Sequence, residues 1–130
     1  MVTTPTAPTE VFQALSRALA AHDWDAAAAL YAEDVRVVDR FAPVAPVVRT
    51  GRESVREFFT GLGGRLDSLT VEQAVVIPAA DPEVVTVEFS FAASAGGGAG
   101  RFVLPAIFVL RVRGGEIVES HDYLGPRQGA

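Results

Sequence analysis

The chain has 130 residues, room for one domain and not for two. Hydrophobic residues make up 49% and charged residues 21%, an ordinary globular balance that argues against general disorder and allows a core with a small pocket. Cys and Lys are absent, all 11 basic residues are Arg and only two His occur, so thiol chemistry, disulfides, Schiff bases, a lysine-bearing phosphate loop and a three-histidine zinc site within one chain are excluded, while a net charge of −5 speaks against nucleic acid as the main partner.

The N-terminal stretch Met1 to Thr9 is rich in Thr, Pro and Ala, with no basic start and no apolar run behind it. The longest apolar run, Phe102 to Leu110, contains a Pro and is far below the roughly 20 residues needed to span a bilayer. A cytoplasmic protein without membrane contact is expected. The bias to Ala, Gly and Arg suggests a GC-rich bacterial genome.

Residues 1–8 are expected as a flexible tail, with Thr6 or Thr9 as N-cap of a first helix from Glu10 to Ala21. There Val11, Leu15, Ala18 and Leu19 recur at helical spacing. His22, at the end of that helix, is expected to meet its last carbonyls. Asp23 can cap a second helix, Trp24 to Tyr31, which the run Ala26–Ala29 favours. Val35 to Asp39 is short and β-branched, a strand, and Arg40 to Thr50 is expected as a loop. A third helix, Gly51 to Leu62, carries Val55, Phe58, Phe59 and Leu62 on one stripe and ends in glycines. Strands follow over Ser68–Ile77, Glu83–Ala93, Gly100–Val112 and Glu116–Leu124. The last two flank a tight turn at Arg113-Gly114-Gly115. Residues 9–126 form the domain and 127–130 a C-terminal tail. Three helices, one early strand and a four-strand antiparallel meander make an α+β plan.

Alternation assigns faces. With Arg36 toward water, Val35, Val37 and Asp39 point inward. Phe102, Leu104, Ala106, Phe108 and Leu110 form the inward row of one later strand, and Val85, Val87, Phe89 and Phe91 that of another. A curved sheet with such a face, covered by helices, encloses a dry pocket with Asp39 at the end of an apolar row. That carboxyl either points into the pocket, where desolvation would suit it to general-base work, or ends its strand facing water. Asp122 is the second acid. Parity groups it with Val118 and Leu124, and groups His121 with Ile117 and Tyr123, so two mixed rows leave open which of His121 and Asp122 faces the pocket. No metal cluster is expected. Gly96 to Gly100 lies between strands without phosphate-loop spacing and is expected as a hairpin loop.

Three stretches carry a resemblance: His22-Asp-Trp-Asp-Ala-Ala-Ala-Ala-Leu-Tyr-Ala-Glu-Asp-Val35, Thr50-Gly-Arg-Glu-Ser-Val-Arg-Glu-Phe-Phe59, and Phe108-Val-Leu-Arg-Val-Arg-Gly-Gly-Glu-Ile-Val118 running into Asp122-Tyr123. On them the chain resembles the SnoaL-like and ketosteroid-isomerase-like members of the nuclear transport factor 2-like superfamily. The resemblance implies a cone-shaped α+β fold, three helices packed on a curved, mainly antiparallel sheet. It also implies that Asp39 occupies the general-base position of ketosteroid isomerases, while Leu15 and Phe108 replace their oxyanion donors. Of the acid–arginine set in limonene-epoxide-hydrolase-like members, only Asp122-Tyr123 remains, with Phe89 and Phe91 at the other positions. In SnoaL-like polyketide cyclases one pocket Asp in the last strand does most of the work, and Asp122 fits it.

The expected function is cofactor-independent acid–base chemistry on a small hydrophobic, enolisable molecule, a polyketide-type cyclisation or an isomerisation. Asp122 and Asp39 are the candidate catalytic residues and His121 a possible auxiliary. Leu15, Trp24, Tyr31, Phe58, Phe89, Phe91, Leu104 and Phe108 are the candidate substrate-binding residues. No Arg lies on the inward rows of Phe89, Phe91 and Phe108 to offset desolvation of a carboxyl. The competing expectations are a non-catalytic ligand-binding or dimerisation module, and epoxide opening. Val103, Ile107 and Val109 would leave the outer sheet face apolar, so a homodimer through the sheet is expected.

Overall fold

A computed structural model of the protein describes residues 6–41, 45–97 and 100–129. Most of the expected N-terminal tail and the centre of the Gly96–Gly100 loop lie outside them. The first helix, α1, spans Pro8–Ala20. It starts earlier than expected because Pro8 is pre-set for the first helical position. The N-cap is therefore Ala7, neither Thr6 nor Thr9, and the Ala7 N–H donates to the Glu10 carboxylate at 3.0 Å. Val11, Phe12, Leu15 and Leu19 form its buried stripe. His22 reverses the chain in a left-handed conformation (φ 55°), its N–H donating to the Leu19 carbonyl at 3.1 Å. Asp23 caps α2, Trp24–Ala29, by accepting the Ala26 N–H at 3.0 Å.

The second helix stops short of Tyr31. The Leu30 carbonyl accepts the N–H of Ile117, and Tyr31 pairs with Ile117, so the chain is already strand β1, Tyr31–Asp39. Tertiary pairing overrides the helical preference of the Ala run at this point. The stretch expected as a loop also yields a strand, β2 (Val47–Thr50), antiparallel to β1 with Arg36 opposite Thr50 and Asp39 opposite Val47. Four residues on an edge are too few to show a period. Helix α3, Arg52–Gly63, buries Val55 and Phe59. Strands β3 (Ser68–Pro78), β4 (Val84–Ala95), β5 (Gly100–Arg113) and β6 (Glu116–Leu124) form the meander. Gly114 and Gly115, both at positive φ, make the two-residue turn between β5 and β6 that only such conformations close without splaying the strands. Residues 128–129, within the expected C-terminal tail, add a short strand β7 against the start of β5, with Gly129 opposite Phe102.

The sheet runs β2-β1-β6-β5-β4-β3, with β1 and β6 parallel and the other neighbours antiparallel. All three helices follow the α+β plan and lie over the concave face. There Val11, Leu15 and Leu19 meet Val85, Val87, Phe89, Phe108 and Leu110 in one core. The inward rows of β4 and β5 are those the alternation indicates: Val85, Val87 and Phe89 are buried, as are Phe102, Ala106, Phe108 and Leu110. Strand β6 breaks the simple rule. Val112 pairs with Ile117, whereas Arg111 pairs with Glu119, so Val118 is an extra residue in a bulge. The bulge reverses parity within the strand. Ile117 is inward before it, and Ser120, Asp122 and Leu124 are inward after it.

Candidate active site

Between α1, α3 and the concave face lies a cavity of about 290 Å³. Its wall is mostly apolar: Leu15, Phe58, Phe91, Leu104 and Phe108 all line it. Trp24 and Phe89 do not. Trp24 lies between His22 and Phe59, with ring centroids 4.9 and 6.5 Å away. Phe89 stands behind the wall, packed on Phe12, Phe91 and Phe108 at 5.3, 4.8 and 5.0 Å. It fixes the rings that touch the cavity without itself being the lining.

Both candidate acids reach the cavity. Asp39 ends β1 and pairs in parallel register with Asp122 on β6, so the two carboxyls come from adjacent strands at one level. Phe108 is the register partner of Asp122 on the other side. The bulge at Val118 thus resolves the mixed rows in favour of Asp122. His121 points to the outer face, where Nε2 lies 2.7 Å from Glu119 Oε1, and Glu119 also meets Arg36 at 3.3 Å. The hydrogen bond from His121 is the main reason the Glu119 carboxyl titrates below its ordinary value.

Burial pushes the Asp122 carboxyl up to about 6. The Asp39 charge adds to the rise, and three groups oppose it: the Ser120 hydroxyl, the Arg49 guanidinium and His121. Ser120 Oγ donates to Asp122 Oδ1 at 2.5 Å and is itself fully buried. Sequence reasoning missed it, although its i, i+2 spacing on a strand places it on the same face as Asp122. Arg49 was hidden for another reason. It comes from β2, in the stretch expected as a loop, and stacks over the Phe58 ring at 4.0 Å. The inward rows of β4 and β5 carry no Arg, but the neighbouring edge strand supplies one.

Tyr31 lines the same cavity and packs on Phe59 at 5.9 Å. Burial, with the Asp122 charge adding to it, holds its phenol well above the usual value, so it remains a neutral O–H donor. Among the described residues no group of His, Cys, Asp and Glu is placed to hold a metal ion, and no helix is long and apolar enough to cross a membrane.

A helix-covered curved sheet with one deep acid in an apolar cavity is the nuclear transport factor 2-like plan, and the comparisons agree. Residues 12–120 match the model of the SnoaL-like domain, and the chain belongs to that family. Among solved structures it is similar to a protein of ketosteroid isomerase-like fold from Catenulispora acidiphila, crystallised with trimethylamine. That pair has 26% identity, coverage of 92% of this chain and 88% of the other, and a TM-score of 0.76. It is also similar to a candidate polyketide cyclase from Xanthomonas campestris pv. campestris, with 25% identity, coverage of 88% and 87%, and a TM-score of 0.75. The epoxide hydrolase/cyclase-like enzyme SalBIII, which acts in pyran ring formation in the polyether salinomycin, has the same fold at 22% identity, coverage of 90% and 89%, and a TM-score of 0.76. No curated protein matches the chain.

Proposed function

We propose that the protein is a cofactor-independent acid–base enzyme acting on a hydrophobic, enolisable molecule, of the polyketide cyclase or isomerase kind. The observation that carries this reading is the Asp122 carboxyl, raised to about 6 in an apolar cavity. A carboxylate in that range is ionised near neutral pH and still basic enough to take a proton from a carbon acid. In the proposed step Asp122 removes the proton alpha to a carbonyl and the electron pair moves onto the carbonyl oxygen. The resulting enolate attacks an internal carbonyl, or takes the proton back at another carbon. Tyr31, kept neutral, is the available O–H donor to the oxyanion, in a cavity where Leu15 and Phe108 provide none. Asp39, beside Asp122 in register, serves as second acid/base or orients the substrate.

The test is exchange of the alpha hydrogens of an apolar diketone in deuterated buffer, followed by proton NMR. The wild type accelerates exchange. Asp122→Asn, which keeps shape and the contact with Ser120, is expected to lose about 10²–10⁴-fold. Exchange unchanged in that variant would make the protein a ligand-binding module instead.

We propose further that two copies pair through the outer sheet face. Ile107 is 38% exposed there, and Val75 and Ile77 are also exposed on the outer strand β3. Light scattering at micromolar concentration should give the mass of a dimer, and a monomer would refute the pairing.

A further inference from the structure

Positive charge in this chain resides on 11 arginines, against 16 acids. Arg36, Arg52, Arg56, Arg111 and Arg113 each reach a carboxylate on the surface. Arg49, Arg65 and Arg127 behave differently. All three line the cavity, and among the described residues none of them forms an ion pair. Arg17, Arg40 and Arg101 form no ion pair among the described residues either, but they do not line the cavity; three of the six unpaired arginines converge on this one apolar site in a chain with surplus acid.

The three are not equivalent. Arg49 acts on the Asp122 charge and so belongs to the acid end. Arg127 stacks over the Phe102 ring at 3.7 Å, and Phe102 lies six residues along β5 from Phe108, the register partner of Asp122. At about 3.3 Å per residue that is roughly 20 Å along the curved strand. Arg65 lies at the same far end. The chain runs from it directly into β3, where Leu69 pairs with Ala93, and Ala93 pairs with Phe102. Leu66 and Leu69, which flank this route, line the cavity as well. A guanidinium held over an aromatic ring by its Cζ still presents N–H groups to a planar, two-oxygen anion. The cavity thus has acids at one end, apolar walls, and two solvent-facing arginines at the other.

We infer that Arg65 and Arg127 form a carboxylate subsite, so that the substrate is an amphipathic anion with its acid group at this rim and its apolar body in the cavity. The placement of its reacting carbon at Asp122 rests on the acid–base reading above; the carboxylate subsite does not.

The probes are decanoate and 1-decanol, one apolar body with and without the charge, titrated calorimetrically into the full chain at low salt and about neutral pH. Decanoate should bind roughly tenfold tighter or better, as charge-assisted hydrogen bonds to a carboxylate require. The double variant Arg65→Gln/Arg127→Gln should bring the two ligands level, while Asp122→Asn keeps the preference for decanoate. Both arginines are exposed at the rim, so their replacement leaves the core intact. The variant Arg65→Lys/Arg127→Lys should keep part of the preference, because it retains the charge without the planar fork. The subsite is overturned if decanoate binds no tighter than decanol, or if the preference survives the double Gln substitution. Loss of the acid–base reading would show separately, as hydrogen exchange unaffected by Asp122→Asn with the decanoate preference still present.

Discussion

At the turn before β4, Asp81 and Glu83 lie in water against two arginines of β5: Arg111 reaches them at 2.9 and 3.1 Å, and Arg113 reaches Glu83 at 3.0 Å. In the cavity, Asp39 and Asp122 lie together and the guanidinium that offsets the Asp122 charge, that of Arg49, is stacked on a ring. The residue types are the same and the consequences opposite. Hydrogen bonds hold the Asp81 and Glu83 carboxyls below their ordinary values, from a backbone N–H first for Asp81 and from Arg113 first for Glu83. Burial drives Asp122 upward, past everything that opposes it. Solvent makes the first cluster a screened surface feature. Its exclusion leaves the second with a carboxyl that changes charge near pH 6.

The contrast is broken most severely by Asp122→Asn, expected to remove about 10²–10⁴-fold of turnover in the exchange assay. The same variant sharpens it in a second measurement. A carboxyl raised from 3.8 to about 6 favours the folded state when protonated. That stabilisation is complete below the unfolded value and is lost as pH rises through about 6. Above that point ionised Asp122 weakens the wild type by an amount on the order of 3 kcal/mol, taken as an upper figure. Urea unfolding should therefore find Asp122→Asn more stable than the wild type at about pH 8, with the difference closing toward pH 4. Wild-type kcat/KM should correspondingly fall as pH drops through about 6, because the base must be ionised.

Ser120→Ala tests the hydrogen bond that works against burial. With it gone the Asp122 carboxyl rises further, and the acid limb of the rate profile should move to higher pH with little change at the alkaline plateau. An unmoved limb would mean that Ser120 only fills space. The smallest effect is expected at the wet cluster. Glu83→Gln should shift Tm by no more than about 2 °C, and less again in about 1 M salt, by scanning calorimetry.

The regular parts of the sheet were legible because period-2 alternation survives in them. The inward rows of β4 and β5 are read directly from the sequence: Val85, Val87, Phe89, Phe102, Ala106, Phe108 and Leu110 are buried, and Phe91 and Leu104 of the same rows are half-buried because they line the cavity. The same alternation put Asp39 on the inward row but left open whether its carboxyl faced the cavity or water. Asp122 was not assignable by parity, since one inserted residue at Val118 exchanges the two faces of β6 halfway along. The arginines at the cavity were illegible for a different reason. Arg49 is on a four-residue edge strand, Arg65 follows a helix end and Arg127 precedes a two-residue strand, and none of these has enough residues to show a period. The family resemblance named the scaffold and pointed to Asp122 but carries no signal for rim charges.

The parallel seam between β1 and β6 has a temporal meaning. Arg36 and Glu119 cross that seam 83 positions apart, and Asp39 and Asp122 hold the same register. Hairpin strands β3, β4 and β5 can zip as they are synthesised, each closing only a short loop. Strand β1 can do so only with the four-residue β2, for its other partner, β6, lies 83 positions on. On the ribosome its other edge must wait, with its backbone groups unpaired, until β6 has emerged to slot between it and β5. The two carboxyls consequently meet only once β6 has emerged, so the acid pair is assembled after the β3–β5 hairpins, and a chain cut short before β6 is sheet without that pair.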